Sequence, residues 1–174
     1  VKALVEFIDK KFRTIANRNS RGICGHSMGG YGAIKLAMMF PEIYSSVYAL
    51  SPGFLALVKE FGPNSDSYKQ LALIKNREDL KKVYFPKTIV AVARAWSPNP
   101  SNPPFYCDIP FKYKGDSLIV DNLVLEKWNN NLPFIMIDKY VENLKKLKAI
   151  KLDWGRNDGS RFPVQCMMFS QKLE

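Results

Sequence analysis

The segment Gly25-His26-Ser27-Met28-Gly29 joins two stretches of opposite character, and this junction constrains the fold more than any other feature of the sequence. Residues 22–25 form a short apolar run that is typical of a buried strand, whereas residues 33–40 have helical composition and end before Pro41. Residues 45–50 then predict a second strand. Because parallel neighbours need a crossover connection, strand–turn–helix–strand predicts an α/β fold with a mostly parallel sheet and helices on both faces.

The pattern Gly-x-Ser-x-Gly in this context is typical of a nucleophile elbow, a sharp turn that raises a serine above the sheet edge. Such a turn strains the backbone of Ser27 and leaves little room for side chains at Gly25 and Gly29. The helix that follows must pack closely on the strand, and its smooth face would come from Gly30, Gly32 and Ala33. Its N-terminus directs free N–H groups at the reacting centre, so we predict the backbone N–H of Met28 as an oxyanion donor.

The turn allows two other interpretations. A glycine-rich turn can simply pack closely or bind a phosphate, but neither a phosphate-loop lysine nor Gly-x-Gly-x-x-Gly occurs here. His26 is the one histidine of the sequence. Successive side chains on a tight turn diverge, so the imidazole is poorly placed to take a proton from Ser27. We therefore predict a packing and hydrogen-bonding role for His26, and Ser27 as the nucleophile.

In folds that carry a nucleophile elbow, the catalytic residues occur along the chain in the order nucleophile, acid and base. The acid is expected in the loop after a later strand. Residues 149–154 predict a strand that runs into a polar turn at 155–159. Asp158 is preferred because a carboxylate that orients a histidine should project from the loop, and Asp153, still inside the strand, is the second candidate. Asp158 could instead be a turn-forming residue. Two further carboxylates have a surface or helix-capping pattern: Asp116 and Asp121.

Residues 54–131 lack strand alternation and show helical patches at 68–75, 77–83, 88–96 and 121–130. Five of the eleven prolines fall between Trp96 and Pro110, which indicates a rigid irregular loop. No flexible linker bounds the segment, so we predict a lid or insertion within one α/β domain that includes residues 1–174. Its aromatic residues either wall an acyl or aromatic pocket or form the core of the lid: Trp96, Phe105, Tyr106 and Trp128. Helices are also predicted at 2–16, 133–147 and 163–173.

Charge and composition limit the kinds of partner that the chain is expected to bind. The net charge is +10, but the basic residues are scattered and their densest group, at 139–151, has an amphipathic helical pattern, so a solvated face is expected rather than a nucleic-acid site. No apolar run approaches the roughly 18 residues of a membrane span. Residues 1–12 carry three lysines and two acids, unlike a signal peptide, and the compartment stays open between cytoplasmic and secreted.

Three cysteines without regular spacing do not form a disulfide framework. Cys24 is expected to be a small buried apolar residue of the first strand, and a Cys107–Cys166 disulfide is left open. No Cys/His cluster has metal-ligand spacing, so a zinc site is not expected. The chemistry predicted for Ser27 needs no metal or organic cofactor.

Three segments of the sequence resemble the putative-esterase family of α/β-hydrolases, which includes esterase D type S-formylglutathione hydrolases, feruloyl and acetyl-xylan esterases and mycolyltransferases. They are Gly22-Ile-Cys-Gly-His-Ser-Met-Gly-Gly-Tyr-Gly-Ala33, Ser46-Val-Tyr-Ala-Leu-Ser-Pro-Gly53 and Asp153-Trp-Gly-Arg-Asn-Asp158. The third resembles the family's D-x-G-x-x-D segment, whose last aspartate is the triad acid. The resemblance implies a Ser-His-Asp hydrolase of small-molecule or carbohydrate-linked carboxylic esters, with Ser27 forming an acyl-enzyme and Asp158 as the acid.

The sequence also departs from that family. The family's catalytic histidine lies one strand beyond the acid, and its first strands and second oxyanion loop precede the elbow. We therefore expect an incomplete α/β-hydrolase, an internal fragment of a chain of about 250–300 residues, with the histidine outside this sequence. Acyl transfer to a sugar or alcohol and a non-catalytic binding module are the alternatives.

Overall fold

A computed structural model of the chain describes residues 1–158 and 162–174. Gly159, the last residue of the predicted polar turn, lies outside the described residues. The chain divides into two compact units. Unit 1 comprises Val1–Leu55 and Ile137–Glu174, and unit 2 comprises Ala56–Met136.

The elements are named in chain order. The strands are β1 (Gly22–His26), β2 (Ser46–Leu50), β3 (Phe111–Lys114), β4 (Ser117–Val120) and β5 (Ala149–Asp153). The helices are α1 (Lys2–Lys11), α2 (Met28–Met39), α3 (Asp66–Leu73), α4 (Arg77–Lys81), α5 (Tyr84–Trp96), α6 (Asn122–Asn129), α7 (Pro133–Leu144) and α8 (Phe162–Leu173). Short 3₁₀ turns occur at Arg18–Ser20 and Lys59–Phe61.

Unit 1 is built on a parallel sheet flanked by helices, which confirms the predicted α/β class. The strand order is β1-β2-β5, and both pairs are parallel. Helix α2 packs against β1 and β2, and it buries Ala33, Ile34, Ala37 and Met38. In the register of the sheet, His26 pairs with Leu50 and Leu50 pairs with Asp153. The three strands therefore end together, and the segments that follow them meet at one edge of the sheet.

Several helix bounds differ from the sequence prediction, and those of α2 and α1 differ most, by about five residues each. Helix α2 begins at Met28 rather than near residue 33, because the backbone turns into the helix directly after Ser27, and the helix tolerates three glycines in its first turns. Helix α1 ends at Lys11 rather than at residue 16, because Phe12 is extended (φ −121°, ψ 160°). None of the residues of α1 is buried.

The cysteine predictions are partly wrong. Cys24 is exposed rather than buried. The reason is that β1 is an edge strand of the described sheet, and alternate side chains along it, at Cys24 and His26, lie on its exposed side. Cys107 and Cys166 are both buried free thiols, so the disulfide left open by the sequence is absent from the described residues.

Unit 2 contains a β-hairpin that the sequence prediction missed. Strands β3 and β4 pair antiparallel with Lys114 opposite Ser117, so a two-residue loop joins them. Gly115 opens that loop at φ 60°, a conformation that suits glycine. All four residues of β4 are exposed, and its sequence, Ser-Leu-Ile-Val, does not alternate between apolar and polar residues. The sequence signal for the hairpin was therefore the short loop with Gly115.

Other expectations for unit 2 are confirmed. Asp121 caps helix α6, since its Oδ1 accepts a hydrogen bond from the N–H of Val124 (3.1 Å). Asp116 is exposed. The proline-rich segment from 97 to 110 is irregular apart from a single bridge between Pro98 and Cys107.

Candidate active site at the sheet edge

Ser27 stands on a strained turn between β1 and α2. Its backbone has φ 55° and ψ −118°, a region that costs a residue with a side chain on the order of 1–3 kcal/mol. Main-chain hydrogen bonds join the turn to β2 and to α2. The N–H of Ser27 donates to the carbonyl of Leu50 (2.9 Å), and the carbonyl of Ser27 accepts from the N–H of Tyr31 (3.1 Å). The strain expected of a serine on such a turn is therefore present.

The glycines around this turn divide into two groups. A Cβ added at Gly25 would lie 2.2 Å from the carbonyl oxygen of Gly29, and one at Gly30 would lie 3.0 Å from Cβ of Pro52. Gly25 and Gly30 must therefore be glycine, because neighbouring atoms approach their Cα atoms too closely for a side chain. At Gly29 and Gly32 a Cβ would meet nothing within 4 Å. The steric reason predicted for these two glycines is therefore wrong, because both face an open side of α2.

The N-terminus of α2 begins beside Ser27. The first N–H groups of a helix have no acceptor within it. Among the described residues, the first N–H of α2 to find a main-chain acceptor is that of Tyr31, which leaves the N–H of Met28 at the helix start. The side chain of Met28 is 72% exposed. The residue predicted as an oxyanion donor thus lies at the position where a helix carries partial positive charge.

The loop after β2 is a part of the site to which the sequence prediction gave no role. Ser51 and Phe54 have φ of 39° and 55° although neither is glycine. The N–H of Ser51 donates to the carbonyl of Asp153 (2.6 Å), and the N–H of Gly53 donates to the carbonyl of Ser27 (3.3 Å). The loop therefore connects the ends of all three parallel strands. Its only sequence signal is the run Ser51-Pro52-Gly53 after the strand.

Asp158 lies in the turn after β5. Its N–H donates to the carbonyl of Gly155 (3.1 Å), and the residue is partly buried. Burial raises the pKa of the Cys166 thiol to about 12, and the nearby carboxylate of Asp158 adds to that effect. The thiol of Cys166 in turn contacts the carbonyl of Pro52 (3.8 Å). Asp158 thus lies at the same sheet edge as the loop that contacts Ser27.

The competing residues have other surroundings. The carboxylate of Asp153 accepts a hydrogen bond from the Tyr48 hydroxyl (3.1 Å), a contact between neighbouring strands β2 and β5. His26 is exposed, and its imidazole has no hydrogen-bond partner in the part of the chain that the structure describes. The predicted packing and hydrogen-bonding role of His26 is therefore wrong, because its side chain lies on the exposed side of edge strand β1.

The aromatic residues of unit 2 have different roles. Trp128 is 1% exposed. Its Nε1 donates to Oγ of Ser97 (2.8 Å), and its ring meets that of Trp96 edge-on. This pair fits the core interpretation. Phe105 instead lines a cavity of about 130 Å³ within unit 2, and Tyr106 is exposed.

In residues 1–158 and 162–174, no cluster of three or more His, Cys, Asp or Glu side chains is arranged to hold a metal ion. Within the same residues, every helix is too short or too polar to cross a bilayer.

Comparison with known proteins identifies the family of the chain. A family model described as Putative esterase matches residues 1–164. The chain belongs to the Putative esterase family. It is also similar to an S-formylglutathione hydrolase of Paracoccus denitrificans (strain Pd 1222), with 58% identity over 36 residues. That match covers 21% of this chain and 13% of the relative.

Proposed function

We propose that this chain carries the nucleophile and acid of a serine hydrolase acting on carboxylic esters. The observation that carries the proposal is the positive φ of Ser27. This residue lies between the end of β1 and the N-terminus of α2. A functional site is a common place for such strain. Membership of the Putative esterase family supports the same reaction class.

The proposed reaction proceeds through an acyl-enzyme. Oγ of Ser27 attacks the acyl carbonyl of the ester while a histidine from outside this sequence takes its proton. That histidine then protonates the departing alcohol. Water attacks the acyl-enzyme with the same histidine as base, which releases the acid and restores Ser27. Asp158 would hold the histidine in the required tautomer and stabilise its positive charge.

The oxyanion of each tetrahedral intermediate would be bound by the backbone N–H of Met28. This donor suits the task because it belongs to the helix N-terminus and needs no reorganisation when charge develops. A second N–H is proposed from a loop outside this sequence. Loss of one such donor typically lowers kcat about 10²–10³-fold.

The substrate is proposed as a small-molecule or carbohydrate-linked ester. The similar protein from Paracoccus denitrificans is named a hydrolase, which favours water over an alcohol as the acyl acceptor. Residues 54–131 are proposed as a lid of the same hydrolase domain. The proline-rich irregular segment between Ser97 and Pro110 is consistent with that role.

Fluorophosphonate labelling tests the nucleophile. The protein to test is the whole protein, including the histidine proposed to lie outside this sequence. Intact-mass spectrometry should show one adduct, and peptide mapping should place it on Ser27. Ser27→Ala should remove both the adduct and ester hydrolysis while leaving the circular dichroism spectrum unchanged. An adduct on another residue, or hydrolysis that persists in Ser27→Ala, would refute the proposal.

The acid is tested by two matched substitutions. Asp158→Asn should lower kcat by about 10⁴-fold, as expected when the orienting carboxylate of a triad is neutralised. Asp153→Asn, which alters the carboxylate that contacts Tyr48, should lower kcat less than tenfold. A larger loss in Asp153→Asn would assign the acid to Asp153, and equal losses would contradict the assignment to Asp158.

A further inference from the structure

The loop at residues 51–55 controls the backbone of the proposed nucleophile. Its Gly53 N–H donates to the carbonyl of Ser27, so a shift of the loop shifts the turn. The loop is strained, since Ser51 and Phe54 both have positive φ. Strained conformations of this kind persist only where the surroundings hold them. Some part of unit 1 must therefore hold this loop in place.

One face of helix α8 packs on this loop. Phe162, Gln165, Cys166 and Phe169 have the i, i+3, i+4, i+7 spacing that lines up side chains on a helix. The ring of Phe162 lies against Gly53, where an added Cβ would be only 3.1 Å from the ring. The Cys166 thiol contacts the Pro52 carbonyl. These two contacts are an apolar one and a weak hydrogen bond.

Gln165 makes the strong polar contact of this face. Its Oε1 accepts a hydrogen bond from the N–H of Leu55 (2.8 Å), directly after strained Phe54. Gln165 is 1% exposed. A main-chain donor buried at this depth is costly to leave unpaired, so the bond fixes the position where the loop ends. Gln165 therefore has the burial and geometry needed to hold the loop.

We propose that Gln165 is a positioning residue for ester hydrolysis, which acts through residues 51–55 on the backbone of Ser27. The inference rests on the proposed function of Ser27. Gln165 does not touch the reacting atoms. Its side chain fixes Leu55, the loop between Leu55 and Gly53 keeps its strained form, and Gly53 then holds the Ser27 carbonyl. The hydroxyl of Ser27 and the N–H of Met28 keep their places because both belong to the same turn.

The central experiment compares Gln165→Met with Gln165→Glu in the full chain. Met has similar length but no acceptor for the Leu55 N–H, so kcat should fall about 10- to 100-fold, the loss typical of misplacement by about 1 Å. KM should change less than threefold. Glu keeps an acceptor oxygen and should recover most of kcat.

The pH dependence of these variants separates positioning from general damage. Burial raises the pKa of a carboxyl, and its protonated form is the closer match to a neutral amide. The ratio of kcat in Gln165→Glu to kcat in wild type should therefore increase as pH falls. The same ratio for Gln165→Met should stay flat. A Gln165→Glu ratio that is as low and as flat as that of Gln165→Met would contradict the proposal.

Asn143→Leu is the matched control. It removes another side-chain hydrogen bond to the main chain of unit 1, from Nδ2 of Asn143 to the carbonyl of Met38 (2.9 Å). Met38 lies near the C-terminal end of α2, remote in the helix from Ser27. This variant should unfold at lower temperature but keep wild-type kcat. A kcat loss in Asn143→Leu equal to that in Gln165→Met would overturn the positioning role.

The two proposals fail in different ways. If Ser27→Ala still hydrolyses ester, the proposed function itself is wrong. If Ser27→Ala is inactive while folded Gln165→Met has wild-type kcat, only the role of Gln165 is wrong.

Discussion

The two units handle conformational strain differently. Among the described residues of unit 1, those with positive φ that are not glycine, Ser27, Ser51 and Phe54, all follow ends of neighbouring parallel strands. In unit 2 such residues stand apart in separate loops, at Lys59 and Tyr106. Strained residues that lie together at one sheet edge share the contacts that stabilise them. A strained residue in a separate loop is stabilised by its own neighbours. Unit 1 therefore concentrates its constraints where we propose the chemistry.

The units also differ in whether main-chain or side-chain atoms make their stabilising contacts. At the turn of Ser27 in unit 1 the contacts join main-chain groups, as between Ser27 and Gly53, and the side chain of Gln165 enters where the following loop ends, at Leu55. In unit 2 the buried pair of Trp128 and Ser97 is joined through side chains. The stability of the turn at Ser27 should therefore respond most to added atoms near the backbone, and that of the Trp128 core to the loss of side-chain atoms. The predictions below test that contrast.

Gly25→Ala should have the largest effect on stability. The new Cβ would overlap the carbonyl group of Gly29, and a backbone neighbour cannot move aside cheaply. We expect the free energy of unfolding to fall by about 4 kcal/mol or more, measured by urea denaturation. Gly22→Ala is the control on the same strand. Its Cβ would meet Oγ of Ser46, a side-chain atom that can rotate away. Equal losses in both variants would contradict the backbone argument.

Thiol reactivity should separate the three cysteines by about 100-fold in rate at pH 8. Cys24 is exposed. Burial raises the pKa of Cys107 and raises that of Cys166 to about 12. A raised pKa leaves less thiolate at pH 8, and the thiolate is the reacting form. Iodoacetamide followed by peptide mapping should therefore modify Cys24 first.

Asp158→Asn provides a check on this thiol experiment. The carboxylate of Asp158 contributes to the raised pKa of Cys166, so its neutralisation should lower that pKa and speed the reaction of Cys166 alone. No change at Cys166 would argue against the placement of Asp158 beside it.

Trp128→Phe tests the side-chain dependence of unit 2. The substitution removes the indole N–H that bonds Ser97 and leaves unfilled volume in a fully buried position. We expect a loss of about 2 kcal/mol, with hydrogen exchange of α5 and α6 accelerated. Trp96→Phe is the control, because Trp96 is more exposed than Trp128 and should lose less. A greater loss at Trp96 would contradict the arrangement of this core.

Local sequence patterns predicted the elements of unit 1 that a short segment can specify. The apolar run before Ser27, the glycines around it and the helix after it encode strand, turn and helix within about twenty residues. The segment from Asp153 to Asp158 likewise places a carboxylate beyond a strand end. Because parallel strands end at one edge, these local patterns were enough to predict that Ser27 and Asp158 share it.

The remaining features depend on contacts that are distant in sequence. Cys24 has the apolar neighbours of a buried strand, but its exposure is decided by which strand lies at the sheet edge. The bond between Gln165 and Leu55 joins residues 110 positions apart, and a glutamine in an amphipathic helix gives no local sign of it. Strand β4 was missed because none of its side chains is buried.

Gly32→Ala should give the smallest effect and the opposite sign. Position 32 lies inside α2, and a Cβ there would meet nothing within 4 Å. Alanine favours a helix over glycine by about 0.8–1 kcal/mol, so thermal unfolding should move to higher temperature. Gly30→Ala, two residues earlier, should instead destabilise, since its Cβ would be 3.1 Å from the carbonyl oxygen of Gly25. Opposite signs at these two positions would show that only the side of α2 that faces the strands demands glycine. A loss of stability in Gly32→Ala would mean that the side of α2 bearing residue 32 is covered in the protein, and the contrast between open and closed glycines near Ser27 would fail.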